Sequence, residues 1–462
     1  MSAVPSPRPQ TSAQPVTRLL AEQALAYRFE ELPAPVKELA RQCLLDTIAV
    51  MLAARDEPVF KIVLDEAKEQ GGNAQASIIG AALKTSLQQA ALVNGTSAHA
   101  LDYDDVNLAI SGHPSAAIVP ALLALAEYRG ASGAQFIAAF VAGYETACRV
   151  GALVEPEHYE RGFHATATVG SFGAAAACAH LIGLDAQQTA RAFGIAGTQA
   201  AGLKAMFGTM CKPLHAGLAA RNGVAAASLA QRGLTSREDV LECKQGFAAT
   251  QSTVFDAAAA LGAPPQGFHI YANLFKYHAS CYGTHSAIEC ARSLRDQHRL
   301  TPERIRKVSL RVDDGADGIC NIPLPANGLE AKFSLRVTTA LALAGIDTAD
   351  LGSYSEAQCR DARIVALRDK TSVELMPGDW PLMKAALSIE TDDGGKLEAE
   401  HDAGVPYSDI GEQGRRLAAK FTSLTVPLIG REHSERLQAA VQGLEKLRSI
   451  AELTELCAPG AV

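Results

Sequence analysis

The sequence predicts a mainly α-helical protein: a large all-helical domain joined to a smaller α+β lid domain. Three observations carry this prediction. Helical periodicity runs almost unbroken to about residue 270, and period-two alternation begins only after that point. Alanine and glycine are abundant while aromatics make up only 5% of the chain. Small side chains let helix axes approach closely, which favours helix-on-helix packing over an aromatic-rich sandwich.

The elements follow in order. Residues 1–15 hold four prolines with Ser, Gln and Thr and are expected to form a disordered tail. The all-helical domain is expected over 16–270. Within it, Pro35–Ala53 repeats Val36, Leu39, Cys43, Leu44, Ile48 and Met51 at helical spacing. Ser86–Ala100, Ala116–Arg129, Ser132–Gly151, Ala165–Ile182, Asp185–Gly194 and Lys212–Arg232 read the same way, with Gly130, Gly183 and Gly233 where helices should stop. The lid is expected over 271–405. Ile305–Val312 alternates and is β-branched, so it reads as a strand; Arg363–Leu367 and Val373–Leu375 are shorter strand candidates. Ala385–Thr391 and Lys396–Glu400 flank Asp392-Asp393-Gly394-Gly395 and predict a hairpin. Tyr282–Gln297 and Phe333–Ala344 predict helices, and residues 406–462 return to helix and rejoin the first domain.

Composition excludes several functions. The net charge of −8 and sequence pI of about 5.9 argue against nucleic acid or an anionic membrane as partner. No uninterrupted apolar run approaches the ~20 residues of a membrane span. Ten cysteines include no Cys-x-x-Cys pair, which removes the usual zinc-ribbon, thioredoxin and iron–sulfur spacings. A reduced, soluble, cytoplasmic protein is expected. GxxxxGK[ST], a strand followed by GxGxxG, and GxSxG are all absent, so nucleotide binding and serine hydrolysis are not expected.

Four segments carry chemistry. Asp102-Tyr103-Asp104-Asp105 follows His99 and precedes Gly112-His113-Pro114-Ser115. Acidic residues favour turns, so a solvated helix end is one reading. A magnesium site is a second, but it needs a matching acidic motif on another helix, and none is present. A general base or an orienting carboxylate is the third. His164 opens a small-residue helix, where unpaired backbone N–H groups attract anions. Lys212 precedes Pro213 at the mouth of an Ala- and Gly-rich helix, with His215 on the same face. An unpaired ammonium is costly to bury, so Lys212 pairs either with a structural Asp or with a substrate carboxylate. Finally, residues 275–285 gather Lys276, His278, Cys281 and His285 at the expected domain boundary. Cys281 is either an acid/base group or an inert core thiol.

The order of these motifs resembles the MmgE/PrpD family over nearly the whole chain. The run is His-Ala-x-Asp-x-Asp-Asp, Gly-His-Pro-Ser, Gly-x-His-x-Thr, Lys-Pro-x-His-x-Gly-x-Ala-Ala-Arg-Asn-Gly, Lys-x-x-x-Ser-Cys-Tyr and Lys332-Phe333-Ser334. The resemblance implies a homodimer, no metal and no cofactor, and a site lined by Asp102, His113, His164, Lys212 and Lys276. Members dehydrate 2-methylcitrate, decarboxylate cis-aconitate or epimerise iminodisuccinate, so a small di- or tricarboxylate is the implied partner. The decarboxylases have Thr where this chain has Val106, and His where it has Cys281. The expectation is therefore a hydro-lyase, with an epimerase using Cys281 as the alternative, and decarboxylation or a non-catalytic carboxylate-binding role ranked behind both. Lys212, Lys276, His113 and His215 would contact substrate, and Asp102, His113, His164, Lys212, Lys276 and Cys281 would carry the chemistry. Side chains that set specificity are expected on Asn107–Gly112 and the lid.

Overall fold

The computed structural model describes residues 14–458. Apart from Gln14 and Pro15, the expected tail lies outside the described residues. The chain forms two compact units. One runs to Asn273 and takes up the chain again from Asp409; the other is Leu274–Ser408.

In the first unit, local chemistry sets the helix ends. Ser86 accepts from the Gln89 backbone N–H and starts Leu87–Ala100. Ser132 with Gln135, and Asp185 with Gln188, form reciprocal capping boxes ahead of Gly133–Val154 and Ala186–Gly197; each such cap contributes about 1 kcal/mol. Gly130, Gly183 and Gly233 take positive φ at the stops. Four helices surround an alanine-rich core: Leu87–Ala100, Pro114–Arg129, Ala165–Leu181 and Cys211–Gln231 supply Ala91, Ala124, Ala174, Cys178, Ala220 and Val224. Their approach requires the small residues. A Cβ on Gly95 would stand 2.7 Å from Gly217 Cα, and one on Gly217 would stand 2.3 Å from the Leu92 carbonyl oxygen. Every residue from Pro114 to Glu127, and from Ala165 to Ala179, is buried.

Gly133–Val154 is long and apolar enough to cross a membrane, although Glu145 and Arg149 interrupt its apolar run. Its most apolar window is 94% buried inside the protein. It is a core helix of this unit, with the Glu145 carboxylate accepting from the His269 and Ile270 backbone N–H groups.

The second unit holds a four-stranded sheet in the order Thr371–Met376, Ile305–Asp313, Lys384–Thr391, Lys396–Asp402. The first pair is parallel, with Leu310 opposite Val373; the others are antiparallel, with Leu310 opposite Leu387 and Leu387 opposite Ala399. Ile305, Val308, Leu310 and Val312 are buried along the central strand, and the His285–His298 helix packs on the two hairpin strands.

Several elements differ from expectation. Arg363–Leu367 is not a strand but lies in the Ala362–Asp369 helix, because Asp361 accepts from the Arg363 and Ile364 N–H groups and so caps a helix. Residues 232–273, expected to continue the all-helical domain, hold only short turns and helices, such as Phe247–Gln251 and Ala257–Leu261. The first unit also contains a two-residue strand pair, Ala76–Ser77 with Lys84–Thr85. The C-terminal segment breaks at Gly443 into Arg431–Gln442 and Ala451–Leu456 with a 3-10 turn between them.

Candidate active site

In the first unit, three helix starts carry the predicted residues. His113 is the N-cap of Pro114–Arg129, His164 the N-cap of Ala165–Leu181, and Lys212 sits in the first turn of Cys211–Gln231. Asp102 follows the end of Leu87–Ala100 with φ of 51°, a left-handed conformation that Asp tolerates better than most residues.

The three acids of the turn have different partners. The Asp102 Oδ1 atom lies 2.8 Å from the Lys212 ammonium. Asp104 accepts from His99 Nδ1 at 2.9 Å and faces His113 Nδ1 at 3.1 Å. Asp105 accepts from the Ser115 hydroxyl at 2.5 Å and from its backbone N–H at 3.3 Å, at the start of the helix that His113 caps. A carboxylate there also meets the positive end of the helix dipole. The Asp102 and Lys212 side chains are 21% and 16% exposed and that of His113 is 13%, whereas Asp104 and His99 are fully enclosed. Solvent therefore reaches Asp102, His113 and Lys212, with Asp104 and His99 behind them.

The electrostatics follow from this layering. Burial opposes ionisation of Asp104, but the charges of His113 and His99 and the hydrogen bonds from both outweigh it and hold the carboxyl well below its usual range. Burial lowers His99 to about 4 despite Asp104, so its imidazole is neutral with Nδ1–H donating. Burial pushes Asp105 up to about 7 against the Ser115 hydrogen bond. His164 is held well below its usual value, first by burial and then by His99, Lys212, His113 and His215. Its Nδ1 stands 3.0 Å from His215 Nδ1, so one ring donates and the other accepts. The His164 ring stacks on His99 at 5.6 Å and meets the edge of Phe207 at 5.0 Å. Phe207 also lies 5.1 Å from the Lys212 ammonium.

The ligand atoms of His99, Asp102, Asp104 and His113 all lie within 4.8 Å of one another, a spacing that could accept a metal ion. The Lys212 ammonium already neutralises Asp102 at 2.8 Å, and the His99 proton occupies Asp104. A divalent ion would have to displace both.

The structure thus brings Asp102, His113, His164, Lys212 and His215 together in one unit. Lys276 and Cys281 belong to the other. Lys276 is buried, and its charge, after burial and His278, helps hold the His285 imidazole well below its usual value. His278 bridges Glu289 at 3.1 Å and the Thr348 hydroxyl at 2.8 Å. Cys281 is buried beside a second thiol: its hydrogen bond to Cys320, followed by burial, pushes the Cys320 thiol well up. His99 and Asp104 were not singled out by sequence. Their signal was present in the five-residue spacing that lets a helix-end imidazole reach the turn after it.

The MmgE/PrpD N-terminal domain matches residues 18–259 and the MmgE/PrpD C-terminal domain matches residues 278–446. The chain belongs to the MmgE/PrpD family. It is 27% identical to human cis-aconitate decarboxylase over 460 residues, covering 96% of this chain and 94% of that protein. It is 29% identical to the cis-aconitate decarboxylase-like protein oryM of Aspergillus oryzae over 483 residues, 96% and 97% of the two chains. The mouse cis-aconitate decarboxylase is 27% identical over 463 residues, 96% and 93% of the two chains.

Proposed function

We propose that this protein is a metal-independent lyase that moves a proton next to a carboxylate of a small tricarboxylate, in a dehydration of a citrate-like 2-hydroxy acid. The single observation behind the reading is the layered His113 environment. Its Nδ1 lies 3.1 Å from the Asp104 carboxylate, and its Nε2 lies 3.8 Å from Asp102 Oδ1 on the accessible side. With the proton on Nδ1, Nε2 carries the lone pair and is the base. The Lys212 ammonium supplies positive charge where a substrate carboxylate gains electron density as its α C–H is broken. Electrons from that bond form the alkene and expel hydroxide from the neighbouring carbon. The imidazolium returns its proton to the departing oxygen, so water leaves. His164, kept neutral, is a hydrogen-bonding partner for the same substrate.

Decarboxylation is the second reading, favoured by relatives that carry that name and match nearly the full chain. The two differ in the bond broken, C–O or C–C, and share the stabilised carbanion. Epimerisation through Cys281 is the third reading, since the relatives that match nearly the full chain carry the decarboxylase name. Incubation of the purified protein with 2-methylcitrate, citrate, cis-aconitate and iminodisuccinate in deuterated water separates the three. Dehydration gives an enoate absorbance with loss of water. Release of carbon dioxide from cis-aconitate moves the reading to decarboxylation. Deuterium incorporation with inversion and no alkene moves it to epimerisation. No turnover of any of the four contradicts the proposal.

A further inference from the structure

A buried lysine on the C-terminal chain segment touches the turn that carries all three acids. Lys420 lies in the Ile410–Ile429 helix and is 5% exposed. Its ammonium donates to the Tyr103 backbone carbonyl at 2.6 Å, lies 3.8 Å from the centre of the Tyr103 ring, and pairs with Asp46 at 2.6 Å. Tyr103 is fully buried and Asp46 is 2% exposed. We propose that Lys420 is a positioning residue: by fixing the Tyr103 carbonyl it sets the Tyr103–Asp104 peptide plane, and so the aim of the Asp104 carboxylate.

Stability alone does not account for an ammonium at this position. A buried ion pair contributes little over an apolar pair of the same shape. An apolar side chain cannot donate to the Tyr103 carbonyl. That carbonyl lies between a residue in the left-handed region, Asp102, and one whose carboxylate serves two imidazoles. The rest of the turn is tied by side chains: Asp105 to Ser115, Asp104 to His99, Asp102 to Lys212. On the main chain, the Asp102 N–H donates to the His99 carbonyl at 3.2 Å, and Lys420 adds a tie at Tyr103 from a segment 317 residues away in sequence. The inference rests on the reading of this turn as the active site.

The test compares a variant in which the Tyr103 carbonyl and ring still hold the Lys420 ammonium with one that removes both buried charges, since Lys420→Met alone strands the Asp46 carboxylate in the core and is expected to fold poorly. Asp46→Asn keeps the Lys420 bond to Tyr103; the double variant Asp46→Asn/Lys420→Met removes it while leaving no buried charge. The double variant is expected to keep the thermal midpoint of Asp46→Asn and lose about 10- to 100-fold in kcat, with KM within about twofold. Asp46→Asn is expected to stay within about threefold of the parent in both constants. Equal kcat in the two variants overturns the proposal. If the parent turns over none of the tricarboxylates, the reading of the reaction fails. Lys420 is then judged on the imidazole nitrogen resonances of His99 and His113, assigned with His99→Asn and His113→Asn. Movement of these signals in the double variant, but not in Asp46→Asn, supports positioning, and unmoved signals overturn it.

Discussion

Asp102, Asp104 and Asp105 look interchangeable in the sequence, yet each meets a different partner: an ammonium, two imidazoles, and a helix start. In the proposed mechanism Asp104 has the most direct link to chemistry, because a carboxylate 3.1 Å from His113 Nδ1 favours the proton on that nitrogen and leaves Nε2 as the base. In Asp104→Asn the charge is lost and an NH2 donor replaces one acceptor oxygen, which removes that preference. The expected result is a fall in kcat of about 100-fold or more at nearly unchanged KM, read by steady-state kinetics on whichever tricarboxylate the parent converts. The metal question belongs to the same residues. With Lys212 and the His99 proton already on the carboxylates, dialysis against EDTA is expected to leave kcat unchanged, and added Mg²⁺ or Zn²⁺ is expected not to raise it. At this scale the sequence was informative about residue type and order. It could not distinguish the three acids, because their roles depend on which helix start each one meets. The part played by Lys420 and Asp46 left no local signal at all, since the Asp46–Lys420 pair joins two helices far apart in sequence.

At the scale of elements, the capped helices were the most legible feature, because Ser132-x-x-Gln135 and Asp185-x-x-Gln188 fix a helix start from four residues. Ala362–Asp369 was misread for the converse reason. Its short β-branched run resembled a strand, and the Asp361 cap that decides the matter was not weighed. Helix crossings follow from the small residues. Gly217→Ala would place a methyl 2.3 Å from both the Leu92 carbonyl oxygen and the Thr96 hydroxyl oxygen. Neither the backbone nor its helix can yield easily, so the variant is expected to lose about 1–3 kcal/mol of stability by urea denaturation. Because Lys212 starts the same helix, some loss of activity should accompany it.

At the scale of the whole molecule, the described histidines dominate the acid response. His99, His158 and His269 are each lowered to about 4, mainly by burial, and His164, His180, His215 and His285 are lowered as well. Unfolded, each takes up a proton near 6.5. Between pH 6.5 and 4 the unfolded chain therefore binds protons that the folded one refuses, and stability falls with pH. Asp105, Glu145 and Glu155, raised to about 7 by burial, act in the opposite sense over that range, since the folded state protonates them first. Seven imidazoles against three carboxylates leave the histidines ahead. Net proton uptake on unfolding at pH 5.5, measured by calorimetry in buffers of different ionisation enthalpy, is the expected outcome.

The central claim is that the Asp102–His113–Lys212 constellation is a catalytic site for a carboxylate substrate, and Lys212→Ala tests it most directly. Lys212 is partly exposed and its helix is held by the alanine core behind it, so the fold should survive the change. In Lys212→Ala, kcat/KM is expected to fall by about 100-fold or more while the thermal midpoint stays within a few degrees of the parent. An unchanged kcat/KM in a well-folded Lys212→Ala protein would contradict the claim.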